Sequence, residues 1–310
     1  MQMQEDKKIK IIGIGAGGTH IINDILSKDL NNVEFWVINT DKQILESSKI
    51  PNKIQLGKNV ANGLGCGGAI SKGRLSAEKS KEEIEIALNG ADIVFIISCL
   101  GGGTGGGATP VVTEIAKNLD ITTISIIIKP FVFEGSTRLN KANQAIEDIQ
   151  ENSDCTFIID NEKITDRIKG KSSLKEAFSI INDYIFKLLK LFCDVTPETV
   201  LINIEYKDID KIFNYSSQAN FYFGCAKGEN RAINAANFAL ESSLCDEILA
   251  SDIKNLIINI QASPDINLSE VNDIVATVSK KIPEDTAIVL GCTIDNNKND
   301  EIEVSIITCV

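Results

Sequence analysis

Ten residues, Gly101–Pro110 (GGGTGGGATP), follow the apolar run Ile93–Ile97 and lead into a segment with helical spacing. Six glycines around Thr104 at a strand-to-helix junction constrain the fold strongly, because ordering them costs entropy that a bound ligand offsets. Such a stretch lets successive amides converge as an anion-binding nest, and the helix behind it adds about half a positive charge. Pro110 is expected in the first turn of that helix, where its missing N–H costs nothing. A second run, Gly13–Gly18 (GIGAGG), ends the apolar stretch Ile9–Ile14 and satisfies GxGxxG through Gly13, Gly15 and Gly18. Alone it suits any nucleotide whose phosphate rests on a helix N-terminus. Neither run contains GK[ST], so neither is a Walker loop, and no lysine is expected to neutralise the phosphates.

Around these junctions strand-like runs alternate with helical patterns. Strands are expected at Ile9–Ile14, Val33–Asn39, Asp92–Ser98, Ile121–Ile128 and Thr156–Ile159, and helices at His20–Ser27, Arg74–Leu88, Thr109–Asn118 and Leu139–Asn152. That alternation predicts an α/β fold with a doubly wound parallel sheet. From Ser173 to Phe192, Leu174, Phe178, Ile181, Ile185, Leu188, Leu189 and Phe192 recur at helical spacing. A long helix apolar around so much of its circumference is expected between two packed bodies. Beyond Pro197 the pattern predicts strands Val200–Ile204, Asn255–Gln261, Thr286–Thr293 and Glu301–Cys309, with helices Ile209–Phe213, Glu229–Leu240 and Leu268–Lys280. The expected division is a nucleotide-binding domain over 1–172, a connecting helix over 173–196 and a smaller α+β domain over 197–310.

Composition narrows the function. With 43 acidic and 31 basic side chains the formal charge is −12, which disfavours binding to nucleic acid or anionic membrane. Aromatic residues are only 5%, which weakens a base-stacking role further. The start, MQMQEDKKIK, is polar and predicts no signal peptide, and no apolar run is long enough to span a bilayer. Eight scattered cysteines without a CxxC pair read as reduced, mostly buried cytosolic thiols.

Gly101–Pro110 resembles the signature of the tubulin/FtsZ family, whose FtsZ form reads GGGTGTGAAP, and the likeness runs from Ile11 to about Ile307. The resemblance implies a Rossmann-like GTPase domain, a long central helix and a smaller α+β domain, in a cytoplasmic GTPase of bacterial cell division that polymerises head-to-tail. It implies GTP/GDP as ligand, with Gly15, Ala16, Gly17, Gly18, Gly101, Gly102, Gly103, Thr104, Gly105 and Gly106 around the phosphates. Asn39 and Thr40 are placed near the phosphates and a Mg2+ held mainly by them, with Asp41 as a candidate ligand. Cys66, Gly67 and Gly68, in Gly63–Gly68 (GLGCGG), match the loop that senses the γ-phosphate. Glu134 and Arg138, in Phe133–Arg138 (FEGSTR), match the ribose segment, and Asn161 matches a nucleotide-contacting asparagine. Phe178 matches the residue that stacks on guanine. Asp183 matches the carboxylate that accepts from N1–H and the exocyclic amine, a pairing adenine cannot reproduce. Each has a plainer reading: Phe178 as core, Asp41 as a helix cap, and Glu134–Arg138 as a surface i,i+4 pair. His20, where the family has Asn, either bonds the nucleotide or packs at a helix start.

Asn203-Ile204-Glu205-Tyr206-Lys207-Asp208 resembles the family's NxDxxD loop, which implies that Asn203, Glu205 and Asp208 are catalytic and complete the site of the next subunit in a filament. Read without the resemblance, Glu205 and Asp208 are solvated strand-end charges. Several positions depart from the pattern. Glu205 stands for Asp and reaches one methylene further, Gly106 stands for Thr, and Ala69-Ile70 stand for Asn-Pro. These motivate an alternative, a GTP-binding filament-forming paralogue with negligible hydrolysis. A dinucleotide-dependent oxidoreductase rests on Gly13–Gly18 alone, with Asn39 where an acidic ribose ligand is expected. The last expected strand runs to the end at Val310, which predicts a trimmed or tailless chain. Membrane-anchoring and division proteins are the implied partners, with no nucleic acid and no membrane insertion.

Overall fold

The computed structural model describes residues 7–28, 30, 32–167, 173–193, 200–202, 207, 213, 217–246 and 248–310. The chain forms two compact units, Met1–Phe186 and Lys187–Val310. In the first, isoleucine-rich runs suited to a pleated, doubly covered surface form six strands. These are β1 (Ile9–Ile14), β2 (Val33–Asn39), β3 (Asn52–Gln55), β4 (Ile93–Cys99), β5 (Thr122–Lys129) and β6 (Cys155–Asp160). All neighbours are parallel, in the order β3-β2-β1-β4-β5-β6. The order reverses between β1 and β4, and their carboxyl ends are in register at Ile14 and Ser98. An open parallel sheet has its binding crevice at that reversal.

Helices cover the sheet: α1 (Gly15–Ile25), α2 (Lys42–Ser47), α3 (Ile70–Glu78), α4 (Lys81–Leu88), α5 (Gly103–Asn118), α6 (Ser136–Asn152), α7 (Glu162–Arg167) and α8 (Leu174–Cys193), the last containing the boundary between units. One core layer joins Ile12, Ile14, Ile38, Val94 and Ile96 to Ala77, Ile84, Leu88, Val112 and Ile115. A second joins Ile127 and Ile158 to Ala142, Ile146 and Ile149 of α6. Each fully buried isoleucine contributes about 1.5–3 kcal/mol.

Both glycine runs enter helices earlier than the periodicity predicts. Helix α1 starts at Gly15, not near His20, and α5 starts at Gly103, not Thr109. Glycine's poor helix propensity is overridden by packing that leaves no room for a side chain. A Cβ on Gly73 would lie 2.1 Å from the Gly103 carbonyl, and one on Gly107 2.2 Å from the Ile70 carbonyl. Helices α3 and α5 therefore touch backbone to backbone. Pro110 is corrected with them: it is buried inside α5, beyond the first turn, where a backbone hydrogen bond is forgone. The helix expected over Arg74–Leu88 is two helices, α3 and α4. The chain breaks at Ser80, whose hydroxyl accepts the Gly57 amide at 2.9 Å. Short polar β3, α2 and α7 lacked an apolar period long enough to register.

In the second unit β7 (Val200–Ile202), β8 (Ala219–Lys227), β9 (Asn255–Ala262), β10 (Ala287–Ile294) and β11 (Glu301–Cys309) lie in the order β8-β11-β9-β10-β7. Strands β9 and β10 are parallel and the other pairs antiparallel. Strand β8 was not expected from the sequence. The rest of the strand expected over 200–204, and the helix expected over 209–213 apart from Phe213, lie outside the described residues. Helices Arg231–Leu240 and Leu268–Ser279 supply Ala232, Ala235, Ala236, Ile274 and Val278 to the core, against Leu256, Ile258, Val304 and Ile306. Arg231, 4% exposed, bonds Glu270 at 2.7 Å, Asp300 at 3.0 Å and Asp265 at 3.1 Å.

Candidate functional site

Two helix N-termini meet at the β1–β4 crevice. Helix α1 follows Ile14 and α5 follows Gly102, and neither has a side-chain cap for its first-turn amides. Those amides have no acceptor inside their helices. The two ends touch, since a Cβ on Gly15, whose φ is +73°, would lie 3.2 Å from the Gly105 nitrogen. Gly15, Ala16, Gly17 and Gly18 occupy the first turn of α1 and His20 its second turn, so His20 does not pack at a helix start. Gly101 and Gly102 form the turn after β4, and Gly103, Thr104, Gly105 and Gly106 the first turn of α5. Ala16 and His20 are exposed. Beneath Gly17 sits the Cys99 thiol, pushed up to about 12 by burial and, secondarily, by the charge of Glu134. Paired, uncapped N-termini of this kind suit an anion of more than one phosphate.

A third segment closes one side. The loop Gly63–Gly68 lies against α5, for a Cβ on Gly103 would meet the Cys66 Cβ at 2.6 Å. Thr40 and Thr104 share a hydroxyl–hydroxyl bond of 2.7 Å, and the Cys66 thiol donates to the Thr40 hydroxyl at 3.3 Å. Asp41 caps α2, its carboxylate accepting from the Gln43 and Ile44 amides at 2.9 and 3.3 Å. Gly67 and Gly68 both have positive φ and open space around them. Among the described residues no three His, Cys, Asp or Glu side chains converge as a metal cage. Two threonine hydroxyls and the Asp41 carboxylate fit a Mg2+ held chiefly by phosphate and water, the usual mode for that ion.

Of the candidate site residues, two buried asparagines carry side-chain atoms without a partner among the described residues: Nδ2 of Asn39 and Oδ1 of Asn161, in residues 2% and 4% exposed. Each such atom costs about 1–3 kcal/mol until a ligand or water meets it. Glu134 lies in a 3-10 turn, Val132–Glu134, where it accepts the Phe131 amide at 3.0 Å and pairs with Arg138 of α6. Arg138 itself abuts Gly101, a Cβ there meeting the Arg138 Cβ at 3.1 Å. Phe178 is 45% exposed, so it is not core, and it meets Phe131 edge-on at 6.2 Å. Phe133 stacks on Phe131 at 4.8 Å and is 72% exposed. Asp183 is exposed and paired with Lys28.

Asn203, Glu205 and Asp208 lie outside the described residues. The sequence reading missed Phe131, Lys28 and two lysines on the glycine loop: Lys141 donates to the Gly68 carbonyl at 2.7 Å and Lys72 to the Gly65 carbonyl at 3.3 Å. Phe131 precedes FEGSTR by only two residues, but Lys141 and Gly68 are 73 apart, and no local signal joins them.

Residues 8–169 match the model of the tubulin/FtsZ family GTPase domain, and residues 217–310 match that of the FtsZ family C-terminal domain. The chain is 34% identical over 308 residues to the cell division protein FtsZ of Wigglesworthia glossinidia brevipalpis, covering 99% of this chain and 80% of that one. To the Pseudomonas aeruginosa protein of the same name it is 33% identical over 299 residues, 96% of this chain and 76% of that one. Among solved structures it is similar to the empty FtsZ dimer of M. jannaschii, with a TM-score of 0.89 at 32% identity over 99% and 89% of the two chains. The fold is also that of a GTPγS-bound CetZ2 protofilament from Haloferax volcanii, with a TM-score of 0.83 at 20% identity over 97% and 92%.

Proposed function

The chain belongs to the tubulin/FtsZ family of GTPases, and on that premise we propose that it holds GTP at the β1–β4 crevice and hydrolyses it between the subunits of a head-to-tail filament. It is a GTPase, GTP and GDP are its ligands, and self-association belongs to the family. The observation that carries the site is the contact of two uncapped helix N-termini at Gly15 and Gly105.

The amides of Gly15–Gly18 and Gly102–Gly106 hold the phosphates, Thr40, Thr104 and Cys66 line their inner wall, and Gly67 and Gly68 face the terminal one. Mg2+ would accompany them, held chiefly by phosphate and water with Asp41 as a candidate ligand, and would supply positive charge there. Glu134 and Arg138 hold the ribose, Asn161 contacts the nucleotide, Phe178 stacks on the base, and Asp183 reads its edge. For that, Asp183 exchanges Lys28 for guanine. Hydrolysis then needs a water directed at the γ-phosphorus while the bond to the β-phosphate oxygen breaks and GDP leaves. Asn203, Glu205 and Asp208 of the neighbouring subunit orient that water. The domains are 1–172, 173–196 and 197–310. The protein acts in the cytoplasm, at the bacterial division septum, with division and membrane-anchoring proteins as partners. Among the described residues no helix is long and apolar enough to cross a membrane.

Phosphate release per subunit tests this: it rises with protein concentration above a threshold, and a constant value refutes a shared site. Asp208→Ala abolishes turnover and spares GTP binding; loss of binding instead refutes its role. Glu205 and Gly106 favour a second reading, a filament that hydrolyses negligibly. Light scattering with GTP beside a phosphate assay separates them, and brisk release eliminates the second.

A further inference from the structure

The triphosphate cradle has no Walker-type lysine in its loops, yet the fold brings two lysines to its rim, Lys72 from the helix that follows the glycine loop and Lys141 from a helix distant in sequence. Helix α6 lays Arg138 against Gly101 and, one turn on, Lys141 against Gly68. The two side chains differ in charge balance. Arg138 is neutralised by Glu134, whereas Lys141 bonds only a backbone carbonyl, at 2.7 Å. Lys72, on α3, likewise bonds only the Gly65 carbonyl, at 3.3 Å. Among the described residues neither ammonium faces a carboxylate within ion-pair distance, and both side chains are half-buried. The loop they hold packs on the first turn of α5 through Cys66 and Ala69, while Gly67 and Gly68 have open space beside them.

A half-buried cation without a counter-charge, beside a cluster of uncapped amides, attracts added negative charge more strongly than an exposed one. We propose that Lys141, supported by Lys72, reads the terminal phosphate: a nucleoside triphosphate draws the Lys141 ammonium from the Gly68 carbonyl, so the preference for triphosphate over diphosphate depends on it. The proposal rests on the assignment of the crevice as the GTP site. It supplies from helices α3 and α6 the positive charge that the glycine loops lack, and it couples the conformation of Gly67-Gly68 to the number of phosphates bound.

The test uses the full chain with GDP and with the non-hydrolysable analogue guanosine 5′-(β,γ-imido)triphosphate, titrated calorimetrically below the assembly threshold. Lys141→Met is expected to weaken the triphosphate analogue about tenfold and GDP less than about twofold. Lys141→Arg, which keeps the charge, retains most of the preference, and Lys72→Met loses a smaller part of it. Equal losses for both nucleotides make Lys141 a support for the loop and overturn the proposal; so do unchanged affinities. Wild-type protein that binds neither nucleotide refutes the site assignment itself, a result distinct from either of these.

Discussion

Two glycines one turn apart in α5 face different surroundings. A Cβ on Gly103 would lie 2.6 Å from the Cys66 Cβ and 2.9 Å from the backbone N and O of Ala69, so the segment Cys66–Ala69 has to move to admit it. Gly103→Ala is expected to destabilise the protein by about 1–3 kcal/mol and to weaken GTP binding, read from urea unfolding and a binding titration. A Cβ on Gly106 meets only the side-chain tip of Ile70, at 3.4 Å. Since alanine is the better helix former, Gly106→Ala is expected to be neutral or stabilising, by up to about 1 kcal/mol. Cysteine chemistry splits in the same way. With its thiol held near 12, Cys99 carries almost no thiolate at neutral pH, whereas Cys225 is exposed. Brief alkylation at about pH 8, followed by peptide mass spectrometry, is expected to label Cys225 and spare Cys99.

At the scale of elements, the second unit has its own electrostatic anchor. Helix Arg231–Leu240 packs on β8 so closely that a Cβ on Gly224 would lie 2.3 Å from the Ala235 carbonyl and the Ala239 nitrogen. Arg231, at the start of that helix, ties it to Glu270 of the next helix and to Asp265 and Asp300. The Arg231 hydrogen bond holds the Glu270 carboxyl below its ordinary 4.5, and the Ser263 hydroxyl, then Arg231, does the same for Asp265. Both folded values are depressed, so their contribution is complete above the ordinary carboxylate range and is lost as pH falls through it. The urea midpoint is therefore expected to drop between about pH 6 and pH 3, and to drop less steeply in Glu270→Gln. Arg231→Leu leaves the carboxylates facing one another and is expected to cost about 3 kcal/mol at neutral pH.

For the whole molecule, ligand and assembly set the measurable stability. A ligand that binds only the folded chain stabilises it by mass action, about 2.7 kcal/mol at a hundred times its Kd. On the proposed role of Asp183, whose carboxylate would match guanine's two donors, GDP is expected to raise the thermal midpoint accordingly while ADP at the same concentration does not. An equal shift with ADP removes Asp183 as the base reader.

Much of the architecture was legible in the chain. Strands β1, β2 and β11 fall where the apolar β-branched runs place them, and the parallel sheet follows from their alternation with helices. These features depend on residues within a few positions of one another, which is the range over which a period expresses itself. The glycine runs marked where backbone must come close to something, but not what. Contacts between α3 and α5 made the second run helical from Gly103 and carried Pro110 into a helix interior. Pairings across the fold were invisible for the same reason: Thr40 with Thr104, 64 residues apart, and Lys141 with the Gly68 carbonyl, 73 apart. A side chain's partner is chosen by which surfaces pack together, and packing is a property of the assembled layers. Local pattern thus determined the elements and their class, while their contact decided which helix ends meet and where the uncompensated cations stand.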